Sequence, residues 1–400
     1  MSAVSSKGPG SRMQYLAGQL LPVFLTAVFV SQAAAQGKPL SSADLSRLTS
    51  QAENGSLRAQ VELAKSYEGG HSGKVDYQQA AHWFRKAADQ GDPDSQNSLA
   101  VLYLTGRGVS RDDIEAERWL QRAASSGFPL ALHNLGVLYL GAWKVAPDPQ
   151  RGIDLLTRAA NAGLEIAQLQ LGFEYLSGSH VPADPQLGFS WLKRAAKHHF
   201  AAADFLLATA YENGQGTKPD LGKAVEHYRR AAERGYSFAE NNLGRLYMEG
   251  RGVEKDEQQA LRLFLASAEQ GNPQSYLNLA LCSLKGCSGA PDQTAAYSWY
   301  ISGARFMKSV PENFQQKFSE VAAQLTPQQI ANAQTQSQTW ILLHPTSDPH
   351  TPLQLDHVPG PAVAMNRNSQ PIRIPNEGLN SLWQPTQFML RPFPSRASEH

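Results

Sequence analysis

Six glycines fall on one ruler. Gly55, Gly91, Gly127, Gly163, Gly235 and Gly271 are separated by 36, 36, 36, 72 and 36 residues. His199 stands where the long interval would hold another. A fixed period of this length means stacked copies of one small unit in place of a single globular core. Such stacks offer long surfaces and seldom carry a buried catalytic centre.

Other positions keep the same register. Twenty-one residues after each turn comes an aspartate: Asp76, Asp112, Asp148, Asp184, Asp220, Asp256 and Asp292. Twelve residues after each turn comes a tyrosine, from Tyr67 to Tyr247, with Ser283 as the one departure. Leu63, Leu99, Leu135, Leu171, Leu207, Leu243 and Leu279 sit four residues earlier, each followed by Gly or Ala.

Each unit reads as two antiparallel helices. In the second, Asp92-Pro93 opens the first helix, since Asp accepts from free amides and Pro fits the first turn. Ser95, Leu99, Ala100 and Tyr103 then follow at helical spacing as one buried stripe. Gly106-Arg107-Gly108 ends that helix and Asp112 caps the second, whose inner face holds Ala116, Trp119, Leu120, Ala123 and Ala124. Trp83, Trp119 and Trp191 share one position and read as core. Paired alanines such as Ala87-Ala88 and Ala123-Ala124 let helices approach closely. Leu45 to Asn54 reads as a leading half-unit. Pro311 to Ala323 and Pro327 to Leu343 read as closing helices, because a stack exposes apolar faces at both ends.

The two ends differ from the middle. Residues 1–35 have the layout of an export signal: Lys7 and Arg12, an apolar run from Leu20 to Val30, then Ala33-Ala34-Ala35 before Gln36. The run is short for a membrane anchor, so a cleaved signal and a periplasmic or secreted chain are expected. Residues 36–55 form a linker and the half-unit, 56–306 the repeats, 307–344 the closing helices. The tail, 345–400, holds prolines throughout and reads as mostly disordered. Within it Leu382, Trp383, Phe388, Met389, Leu390 and Phe393 are apolar enough for a docking segment or for a segment that folds back onto the repeat groove, against the alternative of a loose end with no partner.

Chemistry has little purchase here. The formal net charge of +1 gives no bulk field for nucleic acid or an anionic membrane. There is no phosphate loop, no nucleophile elbow and no His-Glu-x-x-His helix, so no enzyme and no cofactor are expected. His198 and His199 are adjacent, so their side chains diverge on a helix. His199 reads as a turn residue at positive φ. His344, His350 and His357 lie in or beside the tail without a scaffold, so no metal is expected. Cys282 and Cys287 are the only cysteines. They reach each other as a disulfide after export, or stay as two thiols.

The runs Ala131-Leu132-His133-Asn134-Leu135-Gly136-Val137-Leu138-Tyr139 and Ala239-Glu240-Asn241-Asn242-Leu243-Gly244-Arg245-Leu246-Tyr247, with the loop Gly250-Arg251-Gly252-Val253, resemble the Sel1-like repeat family, relatives of the tetratricopeptide repeats. The resemblance covers residues 56–306 in seven units. The third and fourth units lack the paired-glycine loop and the seventh is eroded after Cys282. It implies an all-α fold: a right-handed α/α solenoid of seven helix-turn-helix repeats with helical end caps and a concave inner face.

It also implies that ligand-facing positions lie on the first helix of each unit. By register these are Asn97, His133, Asn134, Asn241, Asn242, Arg245 and Asn278. Asparagine both donates to and accepts from a peptide backbone, but the same residues serve equally as internal ties within the fold. Val137, Leu169, Phe173 and Phe205 fall on the same surface. Exposed together they would be an apolar patch; turned inward they would be packing. The family implies an exported scaffold that binds a protein or peptide, with an adaptor or regulatory role at the bacterial cell envelope. Two other classes stay open. One is weak β-lactam binding or hydrolysis, associated with relatives whose cysteine spacing this chain lacks. The other is assembly of envelope or polysaccharide, with cell-wall glycan or the polysaccharide machinery as partner.

Overall fold

The computed structural model describes residues 40–344 except 142–143, 199, 288 and 308–309. The export segment, the His199 turn, His350, His357 and the apolar tail segment with Leu382, Trp383, Phe388, Leu390 and Phe393 lie outside the described residues.

Among the described residues there are 17 helices and no strand. Helix α1 (Ser42–Glu53) precedes the seven pairs. These are α2 (Leu57–Gly69) with α3 (Tyr77–Asp89), α4 (Pro93–Thr105) with α5 (Asp113–Ser125), and α6 (Pro129–Leu140) with α7 (Pro149–Asn161). Then come α8 (Glu165–Ser177) with α9 (Pro185–Ala196), α10 (Ala201–Asn213) with α11 (Leu221–Ala232), α12 (Ser237–Glu249) with α13 (Glu257–Glu269), and α14 (Pro273–Lys285) with α15 (Gln293–Ala304). Helices α16 (Glu312–Gln324) and α17 (Pro327–Leu343) follow. From α2 to α16 each helix packs on the one before it, so the pairs form a solenoid, and α17 lies mainly against α15.

The aspartate and tyrosine columns are two ends of one loop. The Asp76 amide donates to the Tyr67 carbonyl at 2.9 Å, and its carboxylate accepts from the amides of Gln78 and Gln79. The same backbone bond joins Asp112 to Tyr103, Asp148 to Tyr139, Asp184 to Tyr175, Asp220 to Tyr211 and Asp256 to Tyr247. Because the acceptor is a carbonyl, Ser283 serves Asp292 as well as a tyrosine does, at 2.9 Å. That accounts for the one break in the tyrosine column.

Glycine is needed on the ruler because the chain turns through positive φ there, from 73° at Gly235 to 94° at Gly163. A second glycine column has a different cause. At Gly108, Gly216 and Gly252 a Cβ would overlap the backbone of Tyr77, Pro185 and Leu221, at the start of the preceding second helix. The paired-glycine loop is therefore a joint between repeats.

Helix openings vary more than the Asp-Pro pattern suggests. Asp92 caps α4 through the Ser95 amide. At α6, α8, α10 and α12 the cap is Phe128, Leu164, Phe200 or Tyr236, with no side-chain cap bond. These side chains pack against the core instead. Another column ties successive repeats together. The Gln60, Gln96 and Gln168 amides donate to the carbonyls of Ala52, Ala88 and Ala160, and the Tyr276 hydroxyl to Ala268. Each satisfies an end carbonyl of the preceding helix.

Trp83, Trp119 and Trp191 are core residues. Cys282 and Cys287 are paired as a disulfide with Cα atoms 5.3 Å apart, which decides between the two readings of these cysteines. No helix among the described residues is long and apolar enough to cross a membrane.

Candidate protein-binding face

The first helices carry the face in question. A first helix touches its own partner and the second helix before it; α4 also meets α6, α8 meets α10, and α12 meets α14. Residues that would be solvent-facing on a surface helix are therefore enclosed. Every residue from Ser95 to Leu102 is buried in α4, and every one from Ala202 to Ala210 in α10.

This overturns the expectation of an open groove in the middle repeats. Phe205 is 1% exposed and Phe173 3%, and both share a core group with Leu169. The Phe205 ring lies 5.2 Å from Tyr236 and 5.9 Å from Tyr228. No apolar patch forms from these three, and replacing Phe173 and Phe205 by serine would open the core. Val137 alone of the four is half-exposed. Asn97, His133, Asn134 and Asn241 are likewise buried. Enclosure follows from packing a helix on several sides, which one-dimensional spacing does not reveal.

The buried polar residues form ties between repeats. The Asn134 amide donates to the Asn97 side-chain oxygen at 2.8 Å, and the Asn278 amide to that of Asn241 at 2.8 Å. Ser275 also donates to Asn241, at 3.1 Å. His133 Nδ1 lies 3.2 Å from the Asn134 oxygen. Burial pushes the His133 imidazole down to about 4, so it is neutral at pH 7.

Toward the C-terminal repeats the face opens. Asn242, Arg245 and Asn278 are half-exposed. Arg245 pairs with Glu212 at 2.6 Å and with Glu249 at 3.2 Å; Arg251 reaches Glu249 at 3.1 Å. The Asn242 amide donates to the Tyr228 hydroxyl at 3.2 Å, which donates to Glu212 at 3.1 Å. Burial, and then Glu212, hold the Tyr228 phenol above its ordinary pKa, so it stays a neutral donor. The result is a strip of fixed donors and acceptors able to hold polar backbone or side chains.

Glu212, Tyr228, Glu249 and Arg251 were not among the residues expected. A weak signal for Glu212 existed: it occupies the column of Leu104, Leu140, Leu176, Met248 and Leu284, where Glu68 is the other carboxylate. Glu174 likewise stands in the column of Leu102, Leu138 and Leu246. It is buried and accepts from Gln170 at 2.7 Å and from His180 Nδ1 at 2.8 Å.

Among the described residues no group of three or more His, Cys, Asp or Glu could hold a metal. His198 lies 3.4 Å from Glu165, and the His344 ring stacks on Trp340 at 3.9 Å.

The Sel1 repeat matches this chain in seven consecutive windows: 57–92, 93–128, 129–164, 166–199, 201–236, 237–272 and 273–305. No curated protein matches significantly. Among solved structures, a Sel1 repeat protein from Oxalobacter formigenes is 25% identical, with 64% of this chain and 98% of that one covered and a TM-score of 0.56. A protective antigen of uropathogenic Escherichia coli displaying an SLR fold is 25% identical over 82% of this chain and 76% of its own, with a TM-score of 0.48. A Klebsiella pneumoniae Sel1 repeat protein is 27% identical over 50% of this chain and 98% of its own, with a TM-score of 0.36. Sel1 repeats are generally scaffolds for protein–protein contact, typically without enzymatic activity. With seven units over 57–305, the chain belongs to the Sel1 repeat family.

Proposed function

We propose that this protein is an exported scaffold that holds a polypeptide partner on the open, C-terminal part of its first-helix face, in an adaptor or regulatory role at the bacterial cell envelope. One observation carries the choice of surface. Asn242, Arg245 and Asn278 are accessible, yet each is pinned by a neighbour: Tyr228, Glu212 and Asn241. Side chains already fixed lose less freedom when a partner arrives. The enclosed middle repeats offer no equivalent strip.

Export is supported by the Cys282–Cys287 pair, since disulfides persist in oxidising compartments. The layout of residues 1–35 points the same way. A mature N-terminus at Gln36 in a periplasmic or secreted fraction is the expected outcome; an uncut chain in the cytoplasm would refute export.

The binding surface is tested by crosslinking in the native envelope and mass spectrometry of what is captured. Arg245→Glu with Asn242→Ala should remove the captured partner while far-ultraviolet circular dichroism stays unchanged. Undiminished capture by this folded variant would move the binding surface elsewhere.

A further inference from the structure

The second helices carry a cation at one repeat position. Lys86, Arg122, Arg158, Arg194 and Arg230 follow one another at intervals of 36 residues, each directly before the paired alanines in the last turn of α3, α5, α7, α9 and α11. The column stops there: the sixth and seventh repeats hold Ala266 and Ser302. Favourable interaction with a helix dipole does not by itself account for it. The first helices from α2 to α12 have the same dipole and end without a basic residue.

Lys86, Arg122, Arg158 and Arg194 are exposed, and Arg230 is half-exposed. Core rings hold three of them in place. Lys86 Nζ lies 4.6 Å from the centre of the Trp83 ring, and the guanidinium carbons of Arg122 and Arg194 lie 4.7 and 4.3 Å from the centres of Trp119 and Trp191. The rungs are neighbours in space as well as in register. Arg194 donates to the side-chain oxygen of Asn161 at 3.3 Å, one turn past Arg158. Arg85, beside Lys86, lies 5.8 Å from the Trp119 ring that carries Arg122. The turns after the five cations hold two acids, Asp89 and Glu233, and two more cations, Lys197 and Arg234. The strip is therefore cationic, although the whole chain has a formal charge of only +1.

The fifth rung shows what the column takes. Arg230 reaches the buried Asp204 carboxylate at 3.3 Å, together with His227 at 2.9 Å and Arg234 at 3.3 Å. In the first four repeats the position of Asp204 holds Gln60, Gln96, Leu132 and Gln168, all uncharged. Among the described residues, no carboxylate lies within ion-pairing distance of Lys86, Arg122, Arg158 or Arg194. One copy of the position is filled by the chain's own aspartate, and four copies are open.

We propose that the open rungs bind the carboxylates of an extended, Asp- and Glu-rich polypeptide segment laid across the second helices of the first four repeats. Three of the four are arginine, whose parallel N–H donors match a carboxylate. One cation per repeat suits a linear partner that offers acids at intervals. The rings under Lys86, Arg122 and Arg194 reduce the freedom lost on binding. This surface goes beyond the function proposed above: it is separate from the first-helix strip of the sixth and seventh repeats, and its failure would leave that strip untouched.

Fluorescence anisotropy of labelled poly-L-glutamate, titrated with the full chain, tests the ladder. Saturable binding that weakens as salt rises is expected. Arg122→Gln/Arg158→Gln/Arg194→Gln should weaken it about tenfold, the sum of three exposed ion pairs. Lys74→Gln/Lys218→Gln/Arg262→Gln removes the same charge from exposed positions off the ladder and should leave binding within about twofold of the unaltered chain. Both variants should keep the far-ultraviolet circular dichroism of the unaltered chain.

No saturable binding, or an equal loss in the two triple variants, overturns the ladder. If the ladder variant fails to fold, Arg158→Glu replaces it, because Arg158 is exposed and has Leu155 where other rungs have tryptophan. Undiminished binding by Arg158→Glu overturns the ladder, and a loss supports it. Polygalacturonate or phosphatidylglycerol vesicles bound as tightly as polyglutamate would overturn the assignment to a polypeptide.

Discussion

Asn278 donates to the side-chain oxygen of Asn241 at 2.8 Å across 37 residues, and Asn134 makes the same bond to Asn97 at the same length. Two distant junctions of the solenoid use one device. A double-mutant cycle to alanine at either pair should therefore give a coupling of about 1 kcal/mol. Both members of the Asn97–Asn134 pair are buried, while Asn278 is half-exposed, so the first cycle should give the larger coupling. Additive effects in urea unfolding would show that the bond is not a tie between repeats.

Gly108 and Gly127 both have positive φ, 70° and 79°, yet they should respond differently to alanine. A Cβ on Gly127 meets nothing within 4 Å, so Gly127→Ala carries only backbone strain, about 1 kcal/mol. At Gly108 the Cβ would overlap the Tyr77 carbonyl, and Gly108→Ala adds about 1–3 kcal/mol of overpacking to the strain. Chemical unfolding of the two variants side by side reads the difference; equal losses would refute the joint assigned to the paired-glycine loop.

Glu240 links stability to pH. Burial, and then the nearby Glu269, push its carboxyl up from 4.5 to about 7. Between those values the folded chain holds a proton that the unfolded chain has released. Stability contributed by this group therefore falls as pH rises from about 4.5 to about 7, then levels. Glu240→Gln should reduce the loss of melting temperature between pH 5 and pH 8. An unchanged pH profile in that variant would count against a raised value for Glu240.

Reduction of Cys282–Cys287 should destabilise the C-terminal repeats modestly. The bridge closes a loop with a sequence separation of 5, worth about 2 kcal/mol by loop-closure entropy. Melting with and without reductant measures it. A Cys282→Ala/Cys287→Ala variant indifferent to reductant would locate the effect at this pair; reductant sensitivity persisting in it would refute that location.

The amino-acid sequence alone determined the period, the two-helix unit and most helix ends. Those features are local: an Asp that caps, a Gly that takes positive φ and a Pro that opens a turn act within a few residues of themselves. Apolar spacing likewise placed Trp119 and Leu99 inside. The binding face was not legible in the same way. Phe173 and Phe205 were candidates for an exposed patch, and packing encloses them because their helices have neighbours on several sides. Nor does any short-range pattern pair Asn97 with Asn134 or set Glu212 beneath Arg245. Those relationships join residues on different helices, so only the stacking of one repeat on the next could decide them.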